Sequence, residues 1–200
     1  MIPTALTDPK PQSEALIPTD DDQALATLTN GYRLYLAKQD DLAAIVAIYN
    51  QSIASKTATA DLIEVTVAMR QAWFEAHAFN PKRPIYVLKR LIGEIEELIA
   101  WGSFSNLYDR PAYHISSEIS IYVSREYQGQ GIAADFITWM LSQAPALGIH
   151  NVVALVFGHN ERSLKLFERM GFERWGCMPQ VCDMVGFKAD VVMLGKALIK

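Results

Sequence analysis

The hydrophobic pattern of the first part of the chain predicts a strand followed by two helices. Residues 32–37 have the composition of a short strand, and apolar residues then recur at helical spacing through residues 40–53. A second helix is predicted from residue 65 to residue 79. It ends at Asn80-Pro81, because proline lacks the backbone donor that a helix needs.

Strands are predicted in the next part of the chain. Residues 84–90 and 97–103 favour strands, with a turn near Gly93 between them. Residues 118–123 alternate strictly, with isoleucine and valine at the odd-numbered positions. Glu118 therefore points away from the more apolar face of this strand.

A polar loop with Gly129 and Gly131 then leads into an amphipathic helix. Residues 152–157 are apolar without alternation, which predicts a strand covered on both faces. The remaining residues predict a short helix capped by Asn160 and two closing strands. This order of elements indicates a mixed α/β (α+β) fold.

Composition and charge exclude several classes of protein. Half of the 200 residues are hydrophobic and the formal net charge is -4, so no basic surplus favours nucleic acid as a partner. No apolar run is long enough to cross a membrane, and the N-terminus lacks the pattern of a signal peptide, so we expect a cytoplasmic protein without a membrane partner. Two cysteines without a nearby histidine predict no metal site.

The first 31 residues carry the whole formal net charge, with five acidic residues against one lysine. They also contain four of the nine prolines and no aromatic residue, a composition that buries little apolar surface by itself. We therefore expect an acidic, proline-containing N-terminal arm over residues 1–31 and a single domain over residues 32–200.

The loop of residues 128–133 joins a predicted strand to a predicted helix. Free backbone N–H groups and the helix dipole favour an anionic ligand at such a place, above all a phosphate. A plain strand-to-helix turn is the alternative, since short glycine patterns are common. A dinucleotide fold is excluded, because residues 143–149 lack the acidic residue it needs and only 69 residues follow Gly131.

The spacing Gln128-x-x-Gly131-x-Ala133 resembles the signature of the GCN5-related N-acetyltransferases, the GNAT family. In that family the loop binds the pyrophosphate of acetyl-CoA, and a segment similar to residues 160–172 lines the pantetheine arm and the thioester. The resemblance covers roughly residues 32–200. It implies a single GNAT-like domain with a mixed, mostly antiparallel sheet flanked by helices, acetyl-CoA as co-substrate, no metal and a homodimer.

The resemblance also implies which residues contact acetyl-CoA. The expected cofactor-binding residues are Ile121, Tyr122, Val123, Gln128, Gly129, Gln130, Gly131, Ile132, Ala133, Ala134, Asn160 and Ser163. The backbone of residues 121–123 is expected to hold the acyl carbonyl and the pantetheine, which requires no particular side chain.

Within the family, residues 110–113 and 118–123 resemble the substrate segment and adjoining strand of phosphinothricin and methionine-sulfoximine acetyltransferases. Arg110, Tyr113 and Glu118 are therefore expected to bind a small amino acid or analogue, such as phosphinothricin, methionine sulfoximine or methionine sulfone. Phe167 departs from the pattern, because these enzymes commonly have histidine there and many other members have tyrosine.

Acyl transfer to an amine requires a base that removes a proton from the ammonium group. Glu118 is the candidate base, because burial beside a sheet can raise the pKa of a carboxylate towards neutrality; a structural role in holding a loop is the alternative.

The Arg110 guanidinium is suited to a substrate carboxylate or phosphinate, although most arginines are solvated surface residues. Since Phe167 cannot transfer a proton, a CoA-binding protein without transferase activity is a rival interpretation. Acetylation of another amino acid and acetylation of a protein amine are further alternatives.

Overall fold

In residues 23–199, which the computed structural model describes, eight strands form one sheet and four α-helices pack on it. The elements in chain order are β1 Ala26–Thr27, β2 Arg33–Leu36, α1 Leu42–Ile53, α2 Val67–Ala78, β3 Ile85–Ile92, β4 Ile95–Asn106, β5 Ser116–Val123, α3 Ile132–Gln143, β6 Asn151–Phe157, α4 Glu161–Arg169, β7 Glu173–Asp183 and β8 Lys188–Ala197. Every helix in this part of the chain is too short or too polar to cross a membrane.

The order of the strands across the sheet is β1-β2-β3-β4-β5-β6-β8-β7. The β5–β6 pair is parallel and all the other pairs are antiparallel. The predicted fold class, a mixed and mostly antiparallel sheet with helices, is thus confirmed.

β1 lies within the segment that the sequence predicts as an arm. It pairs with β2, and the backbone N–H of Leu25 donates to the carbonyl of Leu34 at 2.7 Å. Leu25 and Leu28 also pack against the main core, so residues 23–31 contact the domain closely. The rest of the predicted arm, residues 1–22, lies outside the described residues.

The two faces of the sheet carry separate hydrophobic cores. The larger core contains buried residues of α3 and α4, such as Phe136 and Phe167, and the other contains α1 and α2 residues such as Ile45 and Phe74. Ile119 of β5 belongs to the first core. The strict alternation of β5 therefore directs Glu118 to the face of α1 and α2, as the sequence predicts.

The β5–β6 pairing is interrupted within both strands. It contains three residue pairs and ends at Glu118 and Val153, although β5 continues to Val123 and β6 to Phe157. Beyond this point the two parallel strands separate. The sheet therefore contains an opening at its centre, and the backbone on each side of it has no partner strand on the edge that faces the opening.

Gly102 of β4 allows close packing at this opening. A Cβ atom at Gly102 would lie 2.6 Å from Cδ1 of Ile121 and 2.8 Å from Sδ of Met140. Gly102→Val is therefore expected to lower the free energy of unfolding by about 1–3 kcal/mol, the usual cost of overpacking a core. Gly176→Val is the control, because no atom lies within 4 Å of a Cβ placed there. Chemical denaturation measures both variants, and equal losses would contradict the packing argument.

Candidate active site

A cavity of about 440 Å³ occupies the opening between β5 and β6. Its walls come from these two strands, from the start of α4, from β7 and from the connection between α1 and α2. Five of the predicted site residues line it: Glu118, Ile121, Tyr122, Asn160 and Ser163. The structure thus brings the candidate base together with part of the predicted cofactor site.

The backbone of β5 faces this cavity with alternate residues. The N–H of Ser124 donates to the carbonyl of Ile99 at 2.9 Å, which assigns the even-numbered residues of β5 to the hydrogen bonds with β4. The backbone groups of Ile121 and Val123 therefore point towards β6. The carbonyl of Val123 accepts a hydrogen bond from Nε2 of Gln128 at 3.0 Å, whereas β6 provides no partner for Ile121.

Glu118 is the candidate base at the point where the strands separate. Its side chain is half-buried, and its carboxylate has neither a hydrogen bond nor an ion pair with any described residue. Burial raises the pKa of Glu118 above its ordinary value, because the charged form loses water without gaining a partner. A raised pKa makes this carboxylate a stronger base towards the ammonium group of an acceptor.

Tyr122 lies on the same face of β5 as Glu118. Its ring stacks on Trp101 with the centroids 4.6 Å apart, and it meets the edge of Tyr49 at 5.1 Å. Burial raises the pKa of Tyr122, so its hydroxyl stays protonated. The hydroxyl donates to the carbonyl of Ala58 at 3.3 Å and thereby fixes the connection between α1 and α2.

Residues 56–60 of that connection, here called the crossing loop, pass over the cavity. Nδ2 of Asn160 donates to the carbonyl of Thr57 at 2.9 Å, and Nε2 of His159 lies 2.8 Å from the carbonyl of Lys56. Oδ1 of Asn160 accepts the N–H of Ser163 at 3.1 Å, which caps α4 as the sequence predicts. Both ends of the Asn160 amide are therefore used to hold protein elements in place.

The predicted phosphate loop lies beyond the end of β5, outside the cavity itself. Gly129 and Gly131 have φ values of +81° and +83°, and a Cβ at either position would meet no atom within 4 Å. None of the hydrogen bonds among the described residues uses the backbone N–H groups of residues 129–133. Five consecutive free donors at the start of α3 fit an anionic group such as a pyrophosphate.

The comparison with protein families agrees with this geometry. The profile of the acetyltransferase (GNAT) family matches residues 47–172. The chain belongs to the GNAT family.

Individual relatives are similar over most of this GNAT chain. A Bacillus subtilis protein, provisionally named phosphinothricin acetyltransferase YwnH, is 43% identical over 82% of this chain and 98% of its own length. L-methionine sulfoximine/L-methionine sulfone acetyltransferase of Pseudomonas aeruginosa is 32% identical over 77% of this chain and 87% of its own. A phosphinothricin acetyltransferase of Sinorhizobium meliloti, solved in complex with acetyl-CoA, has a TM-score of 0.76 and 26% identity, covering 83% of this chain and 88% of that one. The GNAT protein is an N-acetyltransferase.

The structure does not bring Arg110 and Tyr113 to the cavity that contains Glu118. Both residues line a second depression of about 220 Å³ in the connection between β4 and β5. The ring centroids of Tyr113 and Tyr108 lie 4.9 Å apart there. Within one chain of this GNAT enzyme, the three predicted substrate residues therefore belong to two separate surfaces.

Other parts of the cavity wall could not be predicted from the motifs. Residues 57–60 of the crossing loop contribute to it, as do Met178, Val181 and Cys182 of β7. Leu155 of β6 is 41% exposed and also lines the cavity. The predicted burial of residues 152–157 on both faces of the sheet therefore fails at this residue alone. Phe167 lies in the cavity wall, and the centroid of its ring is 5.0 Å from that of Phe172. Its side chain has no proton to donate.

The described residues contain no cluster of side chains suited to a metal ion. Among residues 23–199 no group of three or more His, Cys, Asp or Glu side chains is placed to hold one. Besides Glu118, the polar residues that line the cavity of this GNAT enzyme are Thr57, Thr59, Ser120, Tyr122, Asn160, Ser163 and Cys182.

Proposed function

We propose that this enzyme transfers the acetyl group of acetyl-CoA to the α-amine of a small amino acid or analogue, such as phosphinothricin, methionine sulfoximine or methionine sulfone. The observation that carries the proposal is the unpaired Glu118 carboxylate at the point where β5 and β6 separate. The names of the relatives support this class of acceptor.

Acetyl-CoA is proposed to bind along the opening in the sheet. The free N–H groups of residues 129–133 are suited to its pyrophosphate, with Ala134 completing the first turn of α3. The unpartnered backbone of Ile121 is suited to the pantetheine and the acyl carbonyl, because an extended ligand can take the place of the missing strand. Ser163 completes this surface at the start of α4.

Glu118 is proposed to accept the proton that the acceptor ammonium must lose before its nitrogen attacks the thioester carbonyl. The attack forms a C–N bond, and collapse of the tetrahedral intermediate breaks the C–S bond. The nitrogen then loses a second proton to become a neutral amide, while the CoA thiolate gains one, so one of the two protons leaves to solvent. Phe167 cannot supply the proton that the thiolate gains. The protonated Glu118 carboxyl, which lines the cavity, can return a proton to the thiolate directly or through water.

Arg110 and Tyr113 are proposed to act on the substrate within a homodimer. They lie outside the cavity of their own chain, so this role requires the second depression of one copy to face the cavity of another. The Arg110 guanidinium then suits the polar head of the acceptor. We further propose that the enzyme works in the cytoplasm.

The acceptor class is tested by measuring thiol release from acetyl-CoA. We expect kcat/KM for methionine sulfone to exceed that for methionine by about 5- to 150-fold, since a buried donor that the thioether leaves unpaired costs about 1–3 kcal/mol. The panel includes phosphinothricin, methionine sulfoximine and a peptide with a free amine. Equal values for the sulfone and the thioether, or acetylation of the peptide alone, would show that the proposed acceptor class is wrong.

A further inference from the structure

The charges in the cavity wall do not match a complete amino acid. Among the described residues that line the cavity, Glu118 alone is charged. A free amino acid brings an ammonium group, which Glu118 can face, and also a carboxylate. A desolvated carboxylate needs a cation or several hydrogen-bond donors close to it. A cation at the edge of the cavity would supply the positive charge that the lining residues lack.

Lys56 is a cation at this edge that has no acidic partner among the described residues. It precedes Thr57, which lines the cavity, and its side chain is half-buried. Its Nζ donates to the backbone carbonyls of Met184 and Val185 at 3.0 and 3.1 Å. An ammonium group has three donors, and no hydrogen bond or ion pair with the described residues uses the third.

The backbone around Lys56 is strained in a way that fixes this position. In the described part of the chain, the non-glycine residues with positive φ are Lys56, Gln180 and Val185, at +52°, +51° and +54°. Gln180 lies between two cavity residues of β7, and its N–H donates to Oδ1 of Asp190 at 2.8 Å. Such strain persists only where the surrounding contacts impose it, and it concentrates at sites that bind ligands.

Three other cations of this region, unlike Lys56, do not adjoin a cavity-lining residue in the chain. The guanidinium of Arg70 is 2.9 Å from the carboxylate of Asp61, and that of Arg125 donates to the carbonyl of Gln51 at 2.7 Å. Lys188, opposite Asp183 in the β7–β8 ladder, is exposed. Lys56 thus combines partial burial with an open donor in the residue that directly precedes the cavity-lining Thr57.

We propose that the Lys56 ammonium binds the carboxylate of the amino acid acceptor. Lys56 and Glu118 then hold the two charged groups of the acceptor from different walls, which orients the amine towards the acetyl group. This inference rests on the proposed amino acid acceptor. It makes the enzyme selective for amino acids over simple amines of the same side chain.

The test compares methionine sulfone with the primary amine that remains when its carboxylate is removed. In the wild type, the amino acid is expected to be the better acceptor by about 10- to 100-fold in kcat/KM, the effect of one charge-assisted interaction. Lys56→Met should raise KM for methionine sulfone by a similar factor with a smaller change in kcat. It should leave KM for acetyl-CoA and the kinetics of the simple amine unchanged, and Lys56→Arg should restore most of the selectivity.

Lys188→Met is the matched control, because it removes an exposed lysine from the neighbouring hairpin. An equal effect of Lys188→Met, or a Lys56→Met variant in which both acceptors and acetyl-CoA lose equally, would overturn the proposal and leave Lys56 a structural tie. If Lys56→Met does not fold, the wild-type preference for the amino acid over the simple amine and the selectivity of Lys56→Arg still test the proposal. A wild type that acetylates no amino acid would instead refute the proposed function itself.

Discussion

Replacing Glu118 by glutamine is expected to lower turnover by about 10²–10⁴-fold near neutral pH, the usual contribution of a positioned general base. Glutamine keeps the size of the side chain and most of its hydrogen-bonding capacity but cannot accept the proton. Acetyl-CoA affinity should be unchanged, because its pyrophosphate and pantetheine are proposed to bind backbone groups of residues 129–133 and Ile121 and not the Glu118 side chain. Steady-state kinetics measure turnover, and calorimetric titration measures acetyl-CoA binding.

The pH profile separates this role from a structural one. Wild-type activity should rise with pH through the raised pKa of Glu118, because only the carboxylate is basic. The deficit of the glutamine variant should shrink at high pH, where the amine loses its proton to solvent. Glu168→Gln on the exposed side of α4 is the control for the loss of one negative charge. Full turnover of Glu118→Gln at neutral pH would mean that the amine is deprotonated elsewhere.

Glu118→Gln, which should lower turnover, should raise the stability of the folded protein at neutral pH. Burial raises the pKa of folded Glu118 above its ordinary value of 4.5, so this carboxyl favours folding most below that pH. Its contribution is lost as pH rises through the folded pKa. Glu118→Gln should therefore unfold at a higher temperature than the wild type at neutral pH, and the difference should disappear in acid. Thermal unfolding at several pH values measures this.

Replacing Gly131 by leucine is expected to lower acetyl-CoA affinity by about 100-fold. The side chain would enter the space in front of the free N–H groups of residues 129–133, where the pyrophosphate is proposed to lie. Two lost hydrogen bonds to a charged group account for an effect of this size. Calorimetric titration of the folded variant with acetyl-CoA measures it.

Gly148→Leu provides a closely matched control for the backbone strain. Gly148 follows α3 with a φ of +74°, close to the +83° of Gly131, and a Cβ atom at either position would meet no other atom within 4 Å. Both variants should lose similar stability, because leucine is strained in this conformation. Only Gly131→Leu should lose acetyl-CoA affinity. Unchanged affinity in that variant, or an equal loss in Gly148→Leu, would contradict the assignment of the loop.

The local pattern of the sequence predicts the helices and strands but not the tertiary contacts between them. The alternation of residues 118–123 correctly orients Glu118, because the period of a strand depends on its own residues alone. The crossing loop has no such signal. Its contact between Lys56 and Met184 joins residues 128 positions apart, and only the folded sheet brings them together.

The extent of the strands also depends on pairing as much as on composition. β3 and β4 extend to Ile92 and Ile95 at the tip of their hairpin, where exposed side chains carry no alternating pattern. β1 contains only two residues, too few for any period to appear. Arg110 is eight positions from Glu118 in the sequence, yet the connection before β5 places it at a different surface.

The interrupted pairing of β5 and β6 has a consequence for how the molecule unfolds. Residues 26–123 and residues 151–197 contribute two parts of the sheet, and only three residue pairs join them directly. Regions of a protein that share few hydrogen bonds can open separately, below the cost of global unfolding. A ligand that bonds to both strands couples the two parts, so that they unfold together. The free energy of its binding then stabilises the whole domain.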